Sequence, residues 1–363
     1  MILQLPLLVL LLAIVQTSDA AKSNSSPVVK KVLIVGTGPA GLLAAHCLLS
    51  RNSSTVSYQV HIIDARSEPA EEGIGPRAHI LGISTRGQNA LNHFDTPTRS
   101  RGLLNHVKAL SVATDNAYIH ADSKKIPMRR GDGKRPPSLF LPRNRFCQGL
   151  LASLREVYGK QKNRLKISYR TPLKALDLNA RMAFFENGGT DTYDLIIGAD
   201  GVRSVVRKAL LDVHASSSSP SPYKCVDEAL AGGFKAMRLP AMPAAFEPDA
   251  IHLMTSTKTP VRVFVIPGAD KKCYVGIGLR TNDLPSFLLP DTPIESIQQE
   301  IDTMFPALAP LSKEAAQQLK QQHVTQSRAV RLNSYTDTER RVLLIGDSAH
   351  ATGILRRSVF SLL

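Results

Sequence analysis

The stretch that decides the fold is residues 32–45, which read VLIV-GTGPAG-LLAA. The first four residues form an apolar run typical of a buried parallel strand, and the last four favour a helix. The first of the three glycines between them permits a tight turn, and the second lets the backbone approach a pyrophosphate closely. The third lets the helix pack closely on the strand. We therefore predict a phosphate-binding turn at the start of a helix. The predicted cofactor-binding residues of this turn are Gly36, Gly38, Pro39, Ala40 and Gly41.

A second predicted strand, residues 58–63, follows the helix and is followed directly by Asp64. A carboxylate at the end of the second strand of such a unit is placed to bind ribose hydroxyls, so we predict that Asp64 binds the cofactor. The order of strand, turn, helix, strand and acid predicts a Rossmann-like α/β domain with a parallel sheet. The competing interpretation is a helix and a strand whose glycines are incidental.

Two later stretches repeat the order of an apolar strand, a glycine and an acid. Residues 193–207 read YDLIIGADGVRSVVR, and residues 341–353 read RVLLIGDSAHATG. A carboxylate just past a buried strand can hold a ribitol or ribose hydroxyl, while backbone amides at the following helix start face phosphate. His350 fits packing beneath the loop better than acid or base chemistry. These stretches add four predicted cofactor-binding residues: Asp200, Gly201, Gly346 and Asp347.

The composition is that of a globular protein. The chain has 363 residues, 43% of them hydrophobic and 21% charged, which suits two domains or one elaborated domain. The formal net charge is +15, but the basic clusters lack interleaved aromatic residues and a nucleic-acid motif, so we predict no nucleic-acid partner. We interpret the clusters as a solvated face, with an anionic membrane surface or an acidic partner as the alternative. The four cysteines lie far apart without metal-ligand spacing, so we predict free thiols and no metal site.

Residues 1–20 form a separate segment. Residues 2–15 are almost all apolar, and Ser18 and Ala20 fit the small-residue positions before a signal-peptidase cut. The positive charge that usually begins such a signal is missing, and the run is short for a membrane-spanning helix. We expect a signal peptide or an uncleaved anchor, and therefore the secretory pathway or the endomembrane system. A retained segment would also give membrane association through the N-terminus.

Short alternating apolar segments predict a second sheet, antiparallel and outside the parallel one. They fall within residues 107–127 and 232–279 and are separated by turns. A proline- and serine-rich tract at residues 215–222 marks a boundary before the larger group. The predicted domains are a discontinuous cofactor-binding domain at 28–105, 138–215 and 326–363, and a substrate-binding β-sheet domain at 106–137 and 216–325.

The motifs together resemble those of the FAD-dependent aromatic-ring hydroxylases, the family of para-hydroxybenzoate hydroxylase, with a finer likeness to the kynurenine 3-monooxygenases. The glycine-rich turn resembles the family's ADP-binding fingerprint, Asp200-Gly201 its Asp-Gly motif, and Gly346-Asp347 its Gly-Asp motif. Arg143 falls where the family has an FAD-contacting arginine at a helix start. We count Arg143 and Arg66 among the predicted FAD-binding residues.

The resemblance implies a monooxygenase, an oxidoreductase with FAD as cofactor and NADPH or NADH as co-substrate. It would use O₂ to hydroxylate a small organic, aromatic substrate. FAD carries this chemistry, so the sequence identifies no catalytic residue. It also does not identify the preferred nicotinamide or the oligomeric state. An epoxidase or isoprenoid reductase of the same flavin superfamily is an alternative that suits the apolar N-terminus. A pyridine-nucleotide dehydrogenase would leave the two later motifs without a purpose.

Two departures from the family pattern qualify this expectation. Met128 and Arg129 stand where the kynurenine enzymes have an aromatic residue, which leaves the substrate open. After about Gly353 the family's proline- and glycine-rich loop and helix are missing. Our hypothesis is a C-terminally truncated chain that lacks one wall of the flavin-ring pocket, and a catalytically inactive FAD-binding protein is the corresponding alternative.

Overall fold

The computed structural model of the protein describes residues 27–51, 55–68, 80–94, 102–121, 124–129, 135–161, 163–215, 223–256, 259–279, 281–337, 339 and 341–353. The predicted signal peptide or anchor at 1–20 lies outside these residues, as does the chain after residue 353. Within the described ranges, no helix combines the length and apolar character needed to cross a membrane. The chain forms two compact units.

The first unit contains Met1–Glu68, Leu154–Asp227 and Val330–Ala351. Its main sheet has five parallel strands, which are β1 (Val28–Val35), β2 (Val56–Ile63), β8 (Leu165–Ser168), β12 (Leu195–Gly198) and β18 (Val342–Leu344). They lie in the order β18-β12-β1-β2-β8. A smaller antiparallel sheet is formed by β9 (Leu173–Asp177), β10 (Met182–Phe185) and β11 (Thr190–Thr192). The helices of this unit are α1 (Pro39–Ser50), α5 (Val205–Ala215) and α8 (Asp347–His350).

The apolar runs of the sequence become strands that are buried on both faces. Leu33 and Ile34 in β1 have no exposed surface, as expected for a parallel sheet covered by helices. The helix α1 contacts β1 and β2 and buries Leu42 and Leu49. Because both faces of these strands are buried, their sequences show continuous apolar runs rather than alternation.

The second unit contains Pro69–Ser153, Glu228–Ala329 and Thr352–Leu363. The strands of its large sheet are β5 (Asn116–Ala121), β6 (Lys124–Arg129), β13 (Cys225–Leu239), β14 (Ile251–Ser256), β15 (Thr259–Pro267), β16 (Cys273–Leu279) and β17 (Thr325–Leu332). They lie in the order β17-β13-β16-β15-β14-β5-β6. A three-stranded sheet is formed by β3 (Ile80–Ile83), β7 (Ser138–Pro142) and β4 (Val112–Thr114). The helices are α2 (Thr85–Asn92), α3 (Leu103–Lys108), α4 (Arg143–Tyr158), α6 (Ile294–Met304) and α7 (Ser312–Lys320), with 3-10 helices at Ser286–Leu288 and Pro306–Leu311.

Two glutamines, Gln318 in α7 and Gln322 just after its end, satisfy the backbone at the edge of β13. The side-chain oxygen of Gln318 accepts from the Arg238 N–H at 2.9 Å, and its amide donates to the Arg238 carbonyl at 2.8 Å. Gln322 forms the same pair with Ala236, at 3.3 and 2.7 Å. The glutamines are four residues apart in the chain, and they pair with alternate residues of the strand. They therefore act as a side-chain substitute for a neighbouring strand.

The predicted fold class is confirmed, with a Rossmann-like parallel sheet and a separate, largely antiparallel one. One pair in the large sheet, β5 with β14, is parallel, because the chain reaches β14 through a long connection rather than a hairpin. The unit bounds differ from the predicted domain bounds: residues 69–105 and 138–153 lie in the second unit. The reason is that β3 pairs with β7 and not with the parallel sheet.

Candidate functional site

The three predicted motifs meet at one edge of the parallel sheet. In the register of the sheet, Val35 at the end of β1 stands opposite both Ile63 of β2 and Gly198 of β12. Gly198 in turn stands opposite Leu344 of β18. The carboxyl ends of four adjacent strands therefore carry the glycine-rich turn, Asp64, the Asp-Gly loop and the Gly-Asp loop. In open α/β sheets this is the edge at which ligands bind.

The glycine-rich turn packs its backbone directly on the Asp-Gly loop. Gly36 has φ +109°, a conformation that side chains rarely adopt. A Cβ on Gly36 would collide with the backbone of Ala199, and one on Gly41 would collide with the carbonyl oxygen of Gly36. Both glycines are therefore required by close backbone packing, as the fingerprint predicts.

The N-terminus of α1 has the features of an anion site. Gly38 is the N-cap residue in an extended conformation, and Pro39 begins the helix. No side chain among the described residues caps this end, and the first turn holds no acidic residue. Ala40 belongs to this first turn and is partly exposed. The backbone amides here leave a positive partial charge that suits phosphate oxygens.

Asp64 is held by neighbours that the sequence motif did not include. Its Oδ2 accepts from the backbone N–H and the hydroxyl of Thr37 at 2.8 and 2.7 Å. Arg66 donates to the same carboxylate from its backbone N–H and its guanidinium, at 2.8 to 2.9 Å. Burial of Asp64 raises its pKa, but these hydrogen bonds outweigh burial and hold the pKa at about 2. Asp64 is therefore ionised at neutral pH and fixes the turn to the end of β2.

One carboxylate oxygen of Asp200 caps a helix, and the other has no hydrogen-bond partner in the described part of the chain. Its Oδ2 accepts from the backbone N–H groups of Val205 and Val206 at 2.7 and 3.3 Å, which caps α5. Its Oδ1 is buried and has no hydrogen-bond partner among the described residues. Burial is the largest influence on this carboxyl and raises its pKa, against hydrogen bonds from Ser204 and the backbone. Gly201 follows with φ +82° and open space around its Cα.

The Gly-Asp loop places an exposed carboxylate beside the glycine-rich turn. Gly346 has φ +62°, and a Cβ there would press on the side chain of Ala40. Asp347 is the first residue of α8 and is exposed. Ser348 is buried, and its hydroxyl lies 2.5 Å from the carbonyl oxygen of Gly198 and 2.6 Å from that of Ile345. Ser348 therefore ties β18 to β12 just beyond the last paired residues.

Arg207 is a buried residue of the site that sequence reasoning did not single out. Its guanidinium donates to the carbonyl of Val202 in the Asp-Gly loop at 2.7 Å and to the carbonyl of Ser348 in the Gly-Asp loop at 3.0 Å. It also forms an ion pair with Asp227 at 3.0 Å. Arg207 thus joins the two loops. The sequence shows only an arginine near the start of a predicted helix, and it does not show that this arginine is buried.

Arg143 belongs to the second unit. It is the first residue of α4, as predicted, and its side chain is partly exposed. It has no hydrogen-bond or ion-pair partner among the residues that the structure describes. A partly exposed guanidinium without a protein partner fits contact with an anionic ligand, and the prediction for Arg143 stays a prediction.

The described residues fit the pyrophosphate and ribitol parts of FAD. The start of α1, which no described side chain caps, suits the pyrophosphate. The unpartnered oxygen of Asp200 can accept a hydrogen bond from a ribitol hydroxyl. The described part of the chain contains no cluster of three His, Cys, Asp or Glu side chains suited to a metal ion.

Fold and site together define an α/β protein of the dinucleotide-binding class. Its sequence matches the family described as FAD binding domain over residues 30–353, and the chain belongs to that family.

Individual relatives agree with this family. The chain is 25% identical to kynurenine 3-monooxygenase of Cryptococcus neoformans over 278 residues, which cover 66% of this chain and 49% of the relative. It is 25% identical to kynurenine 3-monooxygenase of Salinispora arenicola, covering 89% of this chain and 67% of the relative. The chain thus spans about half the length of the Cryptococcus protein.

Solved structures show the same fold. The structure of 2-methyl-3-hydroxypyridine-5-carboxylic acid oxygenase matches with a TM-score of 0.68 at 22% identity, over 89% of this chain and 76% of that chain. CtdE in complex with FAD matches with a TM-score of 0.61 at 14% identity, over 88% of this chain and 78% of that chain.

Proposed function

We propose that this chain is the FAD- and substrate-binding part of an FAD-dependent monooxygenase, which uses NADPH or NADH and O₂ to hydroxylate a small aromatic substrate. The observation that carries the proposal is the meeting of the three motifs at one sheet edge, with the buried, unpartnered Oδ1 of Asp200 among them. The relatives named as kynurenine 3-monooxygenases support the reaction class and a ring-containing substrate.

The roles of the residues in this proposal follow from their positions. The first turn of α1 would bind the pyrophosphate, Asp64 and Arg66 would contact the ADP-ribose, and Asp200 and Asp347 would bind the ribitol chain. Arg143 is a further proposed FAD contact.

The chemistry that FAD supplies when bound is acceptance of hydride from NADPH or NADH and activation of O₂, of which one oxygen atom enters the substrate and the other leaves as water. The protein's own contribution is to bind, orient and exclude water. No side chain is needed as a nucleophile.

The first experiment asks whether the full chain binds FAD. Purified protein is titrated with FAD, and bound flavin is followed by its absorbance and fluorescence. The site variant is Asp200→Asn, and the matched control is Asp283→Asn, an exposed aspartate outside the site. We expect stoichiometric binding that is at least about tenfold weaker in Asp200→Asn and unchanged in the control. Absence of flavin binding by the wild-type chain would refute the proposal.

A second experiment separates the rival activities. NADPH and NADH oxidation and product formation are measured with ring-type substrates, including kynurenine, and with polyprenyl substrates. Hydroxylated ring products support the proposal, whereas epoxidised or reduced polyprenyl products support the alternative enzyme. Tight FAD binding with nicotinamide oxidation at background would identify a catalytically inactive FAD-binding protein.

The proposal includes entry into the secretory or endomembrane system, which the apolar segment at residues 2–15 supports. Mass spectrometry of the N-terminus after expression in a eukaryotic cell tests it. An N-terminus at Ala21 shows cleavage, and membrane-bound protein with an intact segment shows an anchor. Soluble protein that retains Met1 contradicts this part of the proposal.

A further inference from the structure

The second unit contains a pair of histidines that the proposed function does not use. His120 on β5 and His252 on β14 lie on neighbouring parallel strands, and Nε2 of His120 is 3.0 Å from Nδ1 of His252. His252 has no exposed surface. Its ring stacks on Tyr118 with the centroids 5.5 Å apart, and the ring centroid of Phe246 is 4.5 Å away. These rings hold the imidazole of His252 in one orientation.

The hydrogen bonds determine which nitrogens carry protons. Nε2 of His252 lies 3.0 Å from the backbone oxygen of Glu247, which can only accept, so this nitrogen carries a hydrogen. In the neutral ring Nδ1 then has to accept, and its donor is the Nε2–H of His120. His120 therefore donates a hydrogen bond to His252, and His252 donates one to the backbone oxygen of Glu247. Glu247 belongs to residues 240–250, the connection between β13 and β14.

Three charged side chains face this pair. Lys125 on β6 forms an ion pair with the Glu247 carboxylate and lies 4.5 Å from the centre of the Tyr118 ring. The second carboxylate oxygen of Glu247 is 3.9 Å from Nδ1 of His252 and has no hydrogen-bond partner in the described part of the chain. Asp249, in the same connection, accepts from the side chain of Asn116 at 3.1 Å.

Both histidines are neutral around pH 7. Burial lowers the pKa of His252, against the hydrogen bond and the negative charge of Glu247. Burial also lowers the pKa of His120, and His252 and Lys125 lower it further. If both rings were protonated, two N–H groups and two positive charges would face each other across 3.0 Å.

We propose that His120 and His252 are a proton-operated clasp that holds residues 240–250 against the sheet when both rings are neutral and releases them on protonation. In the closed form, with residues 240–250 held against the sheet, both histidines bind protons more weakly than in the open form. The closed form is therefore most stable above the ordinary histidine pKa of about 6.5, and it becomes less stable as pH falls. At pH 5, protonation of one released histidine with that pKa raises the ratio of open to closed form by up to about thirtyfold. The inference does not depend on FAD binding.

The test is hydrogen exchange of the full chain, measured by mass spectrometry between about pH 7.5 and pH 5 and corrected for the intrinsic rates. Peptides that cover residues 240–256 report on the clasp. Peptides that cover β1 report on global unfolding, and the pH range is limited to values at which β1 stays protected. The variant is His120→Gln, whose side-chain amide can still donate to His252 but does not titrate. The matched control is His323→Gln, an exposed histidine elsewhere in the same unit.

In the wild type and the control, we expect protection of residues 240–256 to fall at least tenfold toward the acidic end while β1 is unchanged. In His120→Gln the connection stays protected at neutral pH, and the acid-dependent loss is at least threefold smaller. Wild-type protection that changes less than twofold over the range overturns the proposal. So does an acid-dependent loss in His120→Gln equal to that of the wild type.

Discussion

Replacement of Arg207 tests the connection between the Asp-Gly and Gly-Asp loops most directly. The Arg207 side chain is 6% exposed and donates to the carbonyls of Val202 and Ser348 and to the carboxylate of Asp227. Arg207→Met keeps a long apolar stem but removes every donor. Each buried carbonyl left without a partner costs about 1–3 kcal/mol. The carboxylate of Asp227 is 32% exposed and regains water, so it adds less than about 1 kcal/mol.

The expected loss is therefore about 2–6 kcal/mol of unfolding free energy for the first unit, almost all of it from the two carbonyls. Arg207→Lys keeps one of the three contacts and should lose about half as much. Urea unfolding is followed by circular dichroism and tyrosine fluorescence, since the chain has no tryptophan. FAD affinity is measured alongside and should fall at least about tenfold, because both loops lose their common support.

The matched control is Arg203→Met, an exposed arginine in the same segment. It should leave both stability and FAD affinity within experimental error of wild type. The reasoning is refuted if Arg207→Met unfolds within about 1 kcal/mol of wild type and binds FAD equally well. Loss of stability without loss of FAD affinity would restrict Arg207 to a structural role.

Three further predictions concern other parts of the chain. Gly41→Ala should destabilise the protein by about 1–3 kcal/mol in urea unfolding and weaken FAD binding, because its Cβ collides with the carbonyl of Gly36; equal stability would show that the turn relaxes freely. Gln322→Leu should cost about 1–3 kcal/mol, because the N–H and carbonyl of Ala236 lose their partners; an unchanged urea midpoint would contradict this. Burial lowers the pKa of Lys235 from 10.5 to about 8. Between these two pH values the folded protein therefore binds fewer protons than the unfolded protein. The contribution of Lys235 to the free energy of unfolding consequently rises with pH. The stability of wild type relative to Lys235→Met should therefore increase from pH 8 to pH 10.5, and a flat difference would contradict the buried position of Lys235.

Much of the site could be predicted because its signals are local. The three motifs each combine an apolar strand, a backbone turn and an acid within a few residues, and the structure places all of them at adjacent strand ends. The right-handed crossover rule then leaves few ways to arrange such strands in a parallel sheet.

The unpredicted features depend on partners that are distant in the sequence. Ser348 lies 141 positions after Arg207, and His252 lies 132 positions after His120. No periodicity or motif reports such pairs, because each member has an ordinary local context. The pairing of β3 with β7 is equally hidden in the sequence, since an edge strand carries no sign of which sheet it joins.

The sequence by itself determined the turn at Gly36 to Gly41, the parallel strands around it and the FAD-binding family. These follow from backbone sterics and from apolar runs, both properties of short segments. Only the tertiary structure decided that Thr37 and Arg66 hydrogen-bond to the carboxylate of Asp64, that Asp200 keeps one buried oxygen unpaired, and that Arg207 joins two loops. The physical reason is that burial and hydrogen-bond partnership arise when distant segments exclude water together.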